Sequence, residues 1–287
     1  MGARRHAPIS LRHRDLFQDS TNMNNGHILA RARHLAWRAW AASPIGARRW
    51  CCLCGQKVQR FLPYRGACSD MPAVLSEMHV IGSDVENFEC PACGCHDRER
   101  HLLLYLRASG LITQMRSARI LHFAPETQLQ RQIAKAQPAE YVLGDLHPMR
   151  SDVRRLDLLA IDFPRDSFDF VIANHVLEHV SDDVQALREI RRVLRPGGFA
   201  ILQTPYASHL QSKFEDADIT SEPARLQAYG QEDHCRLYGA DFPAFVASLG
   251  FVAKTATHAT LLRDVDAARM GVNALEPFLL FGKPEGQ

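Results

Sequence analysis

Apolar and polar positions form their clearest pattern between residues 168 and 202. Residues 168–173 (FDFVIA) are almost continuously apolar, which is typical of a parallel strand buried on both faces. From Val184 to Leu194 apolar residues recur at a helical period, with acids in the first turn and arginines in the last. Pro196 and two glycines follow, and a second apolar run begins at Phe199. The stretch therefore predicts a strand, a helix and a strand joined by a right-handed parallel crossover.

Similar patterns predict further elements on both sides of this unit, and their alternation predicts an α/β protein with a doubly wound sheet. Ligands bind such sheets at the carboxyl ends of the strands, which places Asn174, His175, Glu178 and Thr204 near a cleft. Residues 206–237 are polar, interrupted by proline and without a clear period, so they predict an inserted loop region. The other predicted strands are 119–123, 141–143, 153–156, 251–257 and 277–281, and the other predicted helices are 102–108, 127–136 and 240–249.

Positive charge is concentrated at the amino end of the chain. Residues 1–50 contain nine arginines against two aspartates, a local net charge of +7, whereas the remaining residues sum to −5. We expect residues 1–49 to be a basic, partly disordered extension in which residues 26–42 form a basic amphipathic helix. This helix is interpreted either as a weak peripheral contact with an anionic membrane, as part of an organellar transit peptide, or as an element that packs on its own protein. No apolar run approaches the roughly 20 residues of a membrane span, and we expect a cytoplasmic protein.

The cysteines are clustered in the sequence with the close spacing that is typical of metal ligands. Seven of the eight lie between residues 51 and 95, where CCLCG and CPACG form two CxxCG turns. Each turn directs two thiolates at one tetrahedral ion, which predicts a small zinc-ribbon domain over residues 50–97 holding a structural zinc. The alternatives are a degenerate turn without metal or a redox pair, and Cys52 and Cys95 could compete as ligands. The predicted ligands are Cys51, Cys54, Cys90 and Cys93.

One motif carries a family resemblance. FDFVIANHVLEHV at 168–180, followed by LREIRRVLRPGG at 187–198, resembles the signature after strand 4 of class I S-adenosylmethionine-dependent methyltransferases, type 11-like. The resemblance implies a Rossmann-like sheet of seven strands with strand 7 antiparallel, formed by residues 98–287 with the insertion at 206–237. It also implies S-adenosylmethionine as the cofactor. The combination of an N-terminal zinc ribbon with this domain resembles that of a subset of bacterial methyltransferases.

The resemblance also implies a cofactor site. The family's glycine-rich loop after strand 1 corresponds to HFAPE at 122–126, where Ala124 and Glu126 replace glycines and His122 replaces an acid. We interpret the loop as a lineage variant in which Glu126 either pairs with the cofactor's cationic groups or serves the helix dipole. Asp145 matches the acid that binds the ribose hydroxyls, and Asp157 matches the acid beside the adenine. The full set implied is His122, Phe123, Ala124, Glu126, Asp145, Asp157, Leu158, Asn174 and His175.

The insertion contains the densest polar cluster outside that set, GQEDHCRLYG at 230–239. A hydroxyl or amine acceptor has to lose a proton, so we predict His234 as general base assisted by Asp233. The alternative is a satisfied loop histidine. This segment resembles one in methyltransferases from bacterial surface-polysaccharide contexts, which favours a small-molecule or saccharide acceptor.

Two other functions are compatible with the sequence. An RNA base methyltransferase could use the ribbon and the arginine-rich extension to hold phosphates, although the acidic body and the lack of a row of aromatics argue against it. The other is a non-catalytic binding module whose altered loop no longer takes the cofactor. The acceptor atom and the oligomeric state are not determined by the sequence.

Overall fold

The computed structural model describes residues 25–64 and 72–286. Residues 1–24 of the predicted extension lie outside the described residues. The helices are α1 (Asn25–Ala41), α2 (Ala73–Glu77), α3 (Asp97–Ala108), α4 (Leu111–Gln114), α5 (Thr127–Ala134), α6 (Asp183–Val193), α7 (Glu222–Tyr229), α8 (Phe242–Ser248), α9 (His258–Leu261) and α10 (Ala267–Met270). The strands are β1 (Arg49–Trp50), β2 (Lys57–Val58), β3 (Val80–Ile81), β4 (Arg119–Phe123), β5 (Glu140–Asp145), β6 (Arg154–Arg155), β7 (Phe168–Ala173), β8 (Leu194–Ile201), β9 (Tyr206–Ala207), β10 (Tyr238–Gly239), β11 (Val252–Ala253) and β12 (Leu280–Gly282).

The central sheet has seven strands in the order β11-β12-β8-β7-β4-β5-β6. Strands β4 to β8 pair in parallel, whereas β12 runs antiparallel to both β8 and β11. This confirms the predicted doubly wound sheet and its antiparallel strand. Apolar residues on neighbouring positions of one strand enter different layers, since Ile120 packs in one core cluster and Leu121 in the other. The strands read as continuous apolar runs because both faces are covered.

Strand β8 begins earlier than the sequence pattern predicts. It starts at Leu194, opposite Phe168, and the regular register resumes with Phe199 opposite Phe170, so the proline and glycines form an irregularity within the strand. A Cβ atom on Gly198 would lie 2.8 Å from the carbonyl oxygen of Asp169. Only glycine allows this approach of the two backbones.

The amino-terminal region packs directly against the sheet domain. The described part of the predicted amphipathic helix forms α1, whose Leu35 and Trp40 side chains are 65% and 54% exposed. Cys51, Cys90 and Cys95 belong to the same buried cluster as α3 and one face of the sheet. None of the described helices combines the length and apolar character needed to cross a bilayer.

Arg100 on α3 joins the two regions. Its guanidinium is fully buried and donates hydrogen bonds to backbone carbonyls of the cysteine region and of residues 270–271. It also lies over the Phe61 ring, 3.9 Å from the centroid. A single side chain therefore satisfies carbonyl groups from segments about 170 residues apart in the chain.

The insertion is more ordered than its sequence pattern predicts. Residues 206–239 contain β9, α7 and β10, and β9 pairs with β3 from the amino-terminal region. Helix α7 is capped by Ser221, which accepts a hydrogen bond from the Ala224 amide, and it ends at Gly230 with φ of 89°. Tyr229 and Leu237 pack with Leu75 in a small third core. Apolar contacts between segments distant in the chain stabilise this region, and such contacts produce no periodic pattern in the sequence.

Candidate active site

The turn after β4 has the backbone conformation of a glycine loop without its glycines. His122 and Phe123 are buried at the end of β4, and Ala124 follows with φ of +46°. Its amide donates to the carbonyl oxygen of Gly144 at 2.8 Å, which ties the turn to the end of β5. An alanine in the left-handed region costs about 1–2 kcal/mol, so tertiary contacts hold a conformation that glycine adopts freely.

Glu126 lies at the start of α5 and points into a polar group. Its Oε1 accepts a hydrogen bond from Asn174 Nδ2 at 2.6 Å, and its Oε2 lies 3.3 Å from His122 Nε2. Burial would raise the pKa of the Glu126 carboxyl, but His122 and Arg98 outweigh it and hold that pKa below its ordinary value. The carboxylate is therefore ionised at neutral pH at the carboxyl edge of β4 and β7.

The two predicted ribose- and adenine-facing acids end neighbouring strands of the sheet. Asp145 closes β5 and is partly exposed, and its Oδ1 accepts a hydrogen bond from the His147 amide at 2.7 Å. Asp157 follows β6, is exposed, and accepts from the Leu159 amide at 2.8 Å. Leu158 beside it is buried. All three lie at the same edge as the β4 turn because parallel strands place their carboxyl ends together.

Asn174 and His175 lie at the end of β7, as predicted, and His175 has φ of +55°. His175 Nδ1 is 3.4 Å from Glu178 Oε1, and its Nε2 is 3.4 Å from Glu276 Oε1. Burial disfavours the imidazolium, but these two carboxylates raise the pKa of His175 to about 9. Burial likewise opposes ionisation of Glu178, yet His175 and His179 lower its pKa to about 2. The result is a buried ionic group in which the His175 imidazolium lies between two carboxylates.

Sequence reasoning did not find the continuation of this group. Glu276 Oε2 contacts His101 Nδ1 at 3.1 Å, and His101 Nε2 contacts His258 Nδ1 at 2.9 Å. Burial would raise the pKa of Glu276, but His101 and His175 lower it. His101 is more than 150 positions from both His258 and Glu276, and a lone acid before β12 carries no motif. Only the fold brings them together.

The predicted base segment lies against the turn after β7. The His234 side chain is buried, and its Nδ1 lies 3.3 Å from the carbonyl oxygen of Tyr229. Asp233 contacts His179 rather than serving as the partner of His234, with 3.3 Å between Asp233 Oδ2 and His179 Nδ1. Burial and the neighbouring His179 lower the pKa of His234 to about 4, so its imidazole is neutral at pH 7. The rings of His179 and His234 meet edge to face at 4.7 Å.

Four thiols form a second group at the amino-terminal region. The Sγ atoms of Cys51, Cys90, Cys93 and Cys95 lie within 4.8 Å of one another, and Cys51 Sγ is 3.4 Å from Cys95 Sγ. Cys54, the fourth predicted ligand, packs beside this group, and Cys95 takes its place within it. In both CxxCG turns the glycine has positive φ and its amide donates to the first cysteine carbonyl at 2.8 Å. Four sulfur ligands in this arrangement fit a zinc ribbon.

Comparison with known proteins finds a match within the sheet domain. Residues 115–202, from just before β4 to the end of β8, match a family model described as a methyltransferase domain. This stretch is therefore similar to methyltransferase domains, and the match includes most of the motif at 168–198.

Curated relatives match over short stretches. A 93-residue stretch is 31% identical to an uncharacterized 37.1 kDa protein in transposon TN4556 from Streptomyces fradiae, and covers 32% of this chain and 24% of that protein. A 56-residue stretch is 41% identical to a probable S-adenosylmethionine-dependent methyltransferase from Mycolicibacterium smegmatis, and covers 20% of this chain and 22% of that protein. The chain thus spans about a quarter of the length of these relatives.

Solved structures of similar fold include an S-adenosylmethionine-dependent methyltransferase from Mesorhizobium loti, with 15% identity, a TM-score of 0.43, and coverage of 62% of this chain and 96% of that one. Another is the 1,6-didemethyltoxoflavin-N1-methyltransferase from Burkholderia thailandensis, solved with bound 1,6-didemethyltoxoflavin and S-adenosylhomocysteine. It has 13% identity and a TM-score of 0.42, and the match covers 63% of this chain and 79% of that one.

The residues at the carboxyl edge fit S-adenosylmethionine, the cofactor that the resemblance implies. Asn174 Oδ1 is a buried acceptor without a hydrogen-bond partner among the described residues, and Glu126 Oε2 has a contact but no aligned hydrogen bond. A cationic amino or sulfonium group suits both atoms. Within the described part of the chain Asp145 accepts only through Oδ1, which leaves Oδ2 for ribose hydroxyls.

Proposed function

We propose that this protein transfers a methyl group from S-adenosylmethionine to an oxygen or nitrogen atom of a small-molecule or carbohydrate-type acceptor. The main support is the group of Glu126, Asn174 and Asp145 at the ends of three adjacent parallel strands. It offers two acceptors that lack an aligned hydrogen bond and a partly exposed carboxylate to a cationic nucleoside. The proposal assigns the reaction to residues 98–287 and the zinc to residues 50–97.

S-adenosylmethionine, when bound, supplies a methyl group activated on a sulfonium. The chain's residues bind and orient it. Ala124 presents backbone in the left-handed conformation, Glu126 places a negative charge beside the cationic end, and Asp145 accepts from the ribose. Asp157 and Leu158 would border the adenine, the first as acceptor and the second as apolar surface. Because methyl transfer is an in-line displacement, alignment and exclusion of water account for most of the required catalysis.

We assign removal of the acceptor's proton to the residues that lie close to Glu178. We propose that His234 and Asp233 take part, as their sequence suggests, and that His179 belongs to the same group because it contacts both. His234 is neutral at pH 7 and can accept a hydrogen bond, while Asp233 orients His179. The segment is held in place by Arg236, which donates to the carbonyls of Leu177 and Val180.

We also propose that the cysteine group holds a structural zinc. The four mutually close thiols would fill all positions of a tetrahedral site, so this ion would stabilise the fold and not activate water. Its position in the core cluster that includes α3 supports a role in fixing the amino-terminal region on the sheet domain.

Calorimetric titration of the purified, zinc-replete protein with S-adenosylmethionine and S-adenosylhomocysteine tests the cofactor assignment. Asp145→Ala should weaken both by about 10- to 100-fold, since hydrogen bonds to charged groups contribute about 1.5–3 kcal/mol. Asp152→Ala is the matched control, because Asp152 is an exposed acid on the same loop that pairs with Arg150. Equal affinities of wild type and Asp145→Ala would refute the assignment. Donor consumption screened against saccharide and RNA pools then distinguishes the acceptor classes.

A further inference from the structure

Two histidines and a glutamate meet on the acceptor side of the proposed cofactor site. One ligand atom from each of Glu178, His179 and His234 lies within 4.8 Å of the other two. Glu178 and His234 are 1% and 4% exposed, and the His179 side chain is 17% exposed. Glu178 and His179 follow β7, whereas His234 comes from the insertion, so the group exists only in the folded chain.

Each member of the group is oriented by a partner outside it. His234 Nδ1 faces the Tyr229 carbonyl at 3.3 Å, and His179 Nδ1 lies 3.3 Å from Asp233 Oδ2. Among the described residues, the buried His179 Nδ1 has no aligned hydrogen bond, so its contact with Asp233 is electrostatic. Histidines that ligate metals characteristically direct one ring nitrogen to a carboxylate or carbonyl and keep the other for the ion.

Glu178 is oriented in the same manner. Thr204 Oγ1 donates to its Oε2 at 3.0 Å, and His175 Nδ1 lies 3.4 Å from its Oε1. The charge on His175 is balanced on its other side by Glu276. The carboxylates of Glu178 and Asp233 both lie at the group, where they suit a cation.

The backbone around the group is held rigidly. The Cys235 amide donates to the Glu178 carbonyl at 2.8 Å, and the buried guanidinium of Arg236 bonds the carbonyls of Leu177 and Val180 and the carboxylate of Glu215. Preorganised ligands lower the cost of assembling a metal site.

We propose that Glu178, His179 and His234 bind a divalent transition-metal ion, with Asp233 orienting His179. Two imidazoles and one carboxylate form a donor set that zinc, iron and cobalt accept, and three protein ligands leave positions open for the substrate. This inference rests on the proposed function for its chemical consequence, which is that the acceptor is a hydroxyl compound. Coordination lowers the pKa of that hydroxyl. With the ion bound, His234 is a ligand and the ion replaces the base role given to it above. The proton of the hydroxyl leaves to water, the new O–C bond forms as the methyl–sulfur bond breaks, and the electron pair stays on sulfur.

Metal analysis of the full chain tests the site without any activity measurement. After stripping and reconstitution with Zn²⁺ or Co²⁺, the wild type should hold two equivalents, one in the cysteine group and one here. His234→Ala and Glu178→Gln should each hold one, while His147→Ala, a histidine outside both groups, should hold two. With Co²⁺, the equivalent lost should be the one without thiolate charge-transfer absorption.

Asp233→Asn guards against a variant that fails to fold. It keeps all three ligands and should weaken binding of the second equivalent by about 10- to 100-fold. A wild type that holds only the thiolate-bound equivalent, or a folded His234→Ala that keeps both, would overturn the proposal. Because S-adenosylmethionine titration does not involve these side chains, a wild type that binds the cofactor but lacks the second metal equivalent refutes this inference alone. Metal binding without cofactor binding refutes the proposed function instead.

Discussion

Glu126 is the residue at which this chain departs most from the glycine-rich loop of the methyltransferases that it resembles, and Glu126→Gln tests what the departure does. The substitution removes the charge and keeps the size. In the structure Oε1 accepts from Asn174 Nδ2, which a glutamine oxygen can also do, whereas Oε2 faces His122 without an aligned hydrogen bond. One charge-assisted contact is therefore available to a ligand and is lost in the variant.

Loss of one such contact corresponds to about 1.5–3 kcal/mol, or about a 10- to 150-fold higher Kd. The desolvation cost of the buried Glu126 carboxylate offsets its attraction to His122, so Glu126→Gln should change the free energy of unfolding by no more than about 1 kcal/mol. Calorimetry with both cofactor forms measures the binding effect, and thermal unfolding of the same samples measures the effect on the fold.

Comparing the affinities for S-adenosylmethionine and S-adenosylhomocysteine shows which cationic group of the cofactor the Glu126 carboxylate faces. If Glu126 faces the amino group that both forms share, their affinities should fall equally, and if it faces the sulfonium, only S-adenosylmethionine should bind more weakly. Glu222→Gln is the control, since Glu222 is an acid in the first turn of α7, away from the sheet edge. Unchanged affinity for both forms in Glu126→Gln would show that the carboxylate only serves its helix and would refute the role given to it here.

The remaining predictions concern stability and metal content. Arg100→Met leaves several buried carbonyls without a hydrogen-bond donor, so it should lower the free energy of unfolding by about 3 kcal/mol or more. Tm should then fall by about 6–12 °C in a thermal scan. An unchanged Tm would contradict the stabilising role given to Arg100. Cys90→Ser should release zinc, measured by mass spectrometry, and the one of Cys54→Ser and Cys95→Ser that retains zinc identifies the thiol that is not a ligand. The pKa of His175 is raised to about 9 from 6.5, so its stabilisation is complete below pH 6.5 and is lost as pH rises through 9. Denaturant titrations should show a decrease of up to about 3 kcal/mol over that window, which His175→Gln flattens.

Long apolar runs and motifs were enough to predict the framework. β4 and β7 have the bounds that their apolar residues predict, and the antiparallel strand follows from the family resemblance. Boundaries fail where a strand continues through residues that usually end one, as β8 does through Pro196 and its glycines. The insertion fails for another reason, since β9 and α7 depend on contacts with residues 75–81, which no local pattern announces.

The candidate site divides in the same way. Residues that follow strands directly, such as Asp145 and Asn174, could be placed from the sequence because parallel strands share one carboxyl edge. Pairing across the site could not, and Asp233 therefore contacts His179 where adjacency suggested His234.

By itself, the sequence determined the sheet, the strand ends where we propose that the cofactor binds, and the thiol turns, because these arise from local periodicity and short spacings. Only the tertiary structure decided which ionisable side chains lie together: Glu276 with His101 and His175, and Glu178 with His179 and His234. Such pairs form between segments brought together by packing of the core, and their energies depend on burial that a linear chain does not reveal.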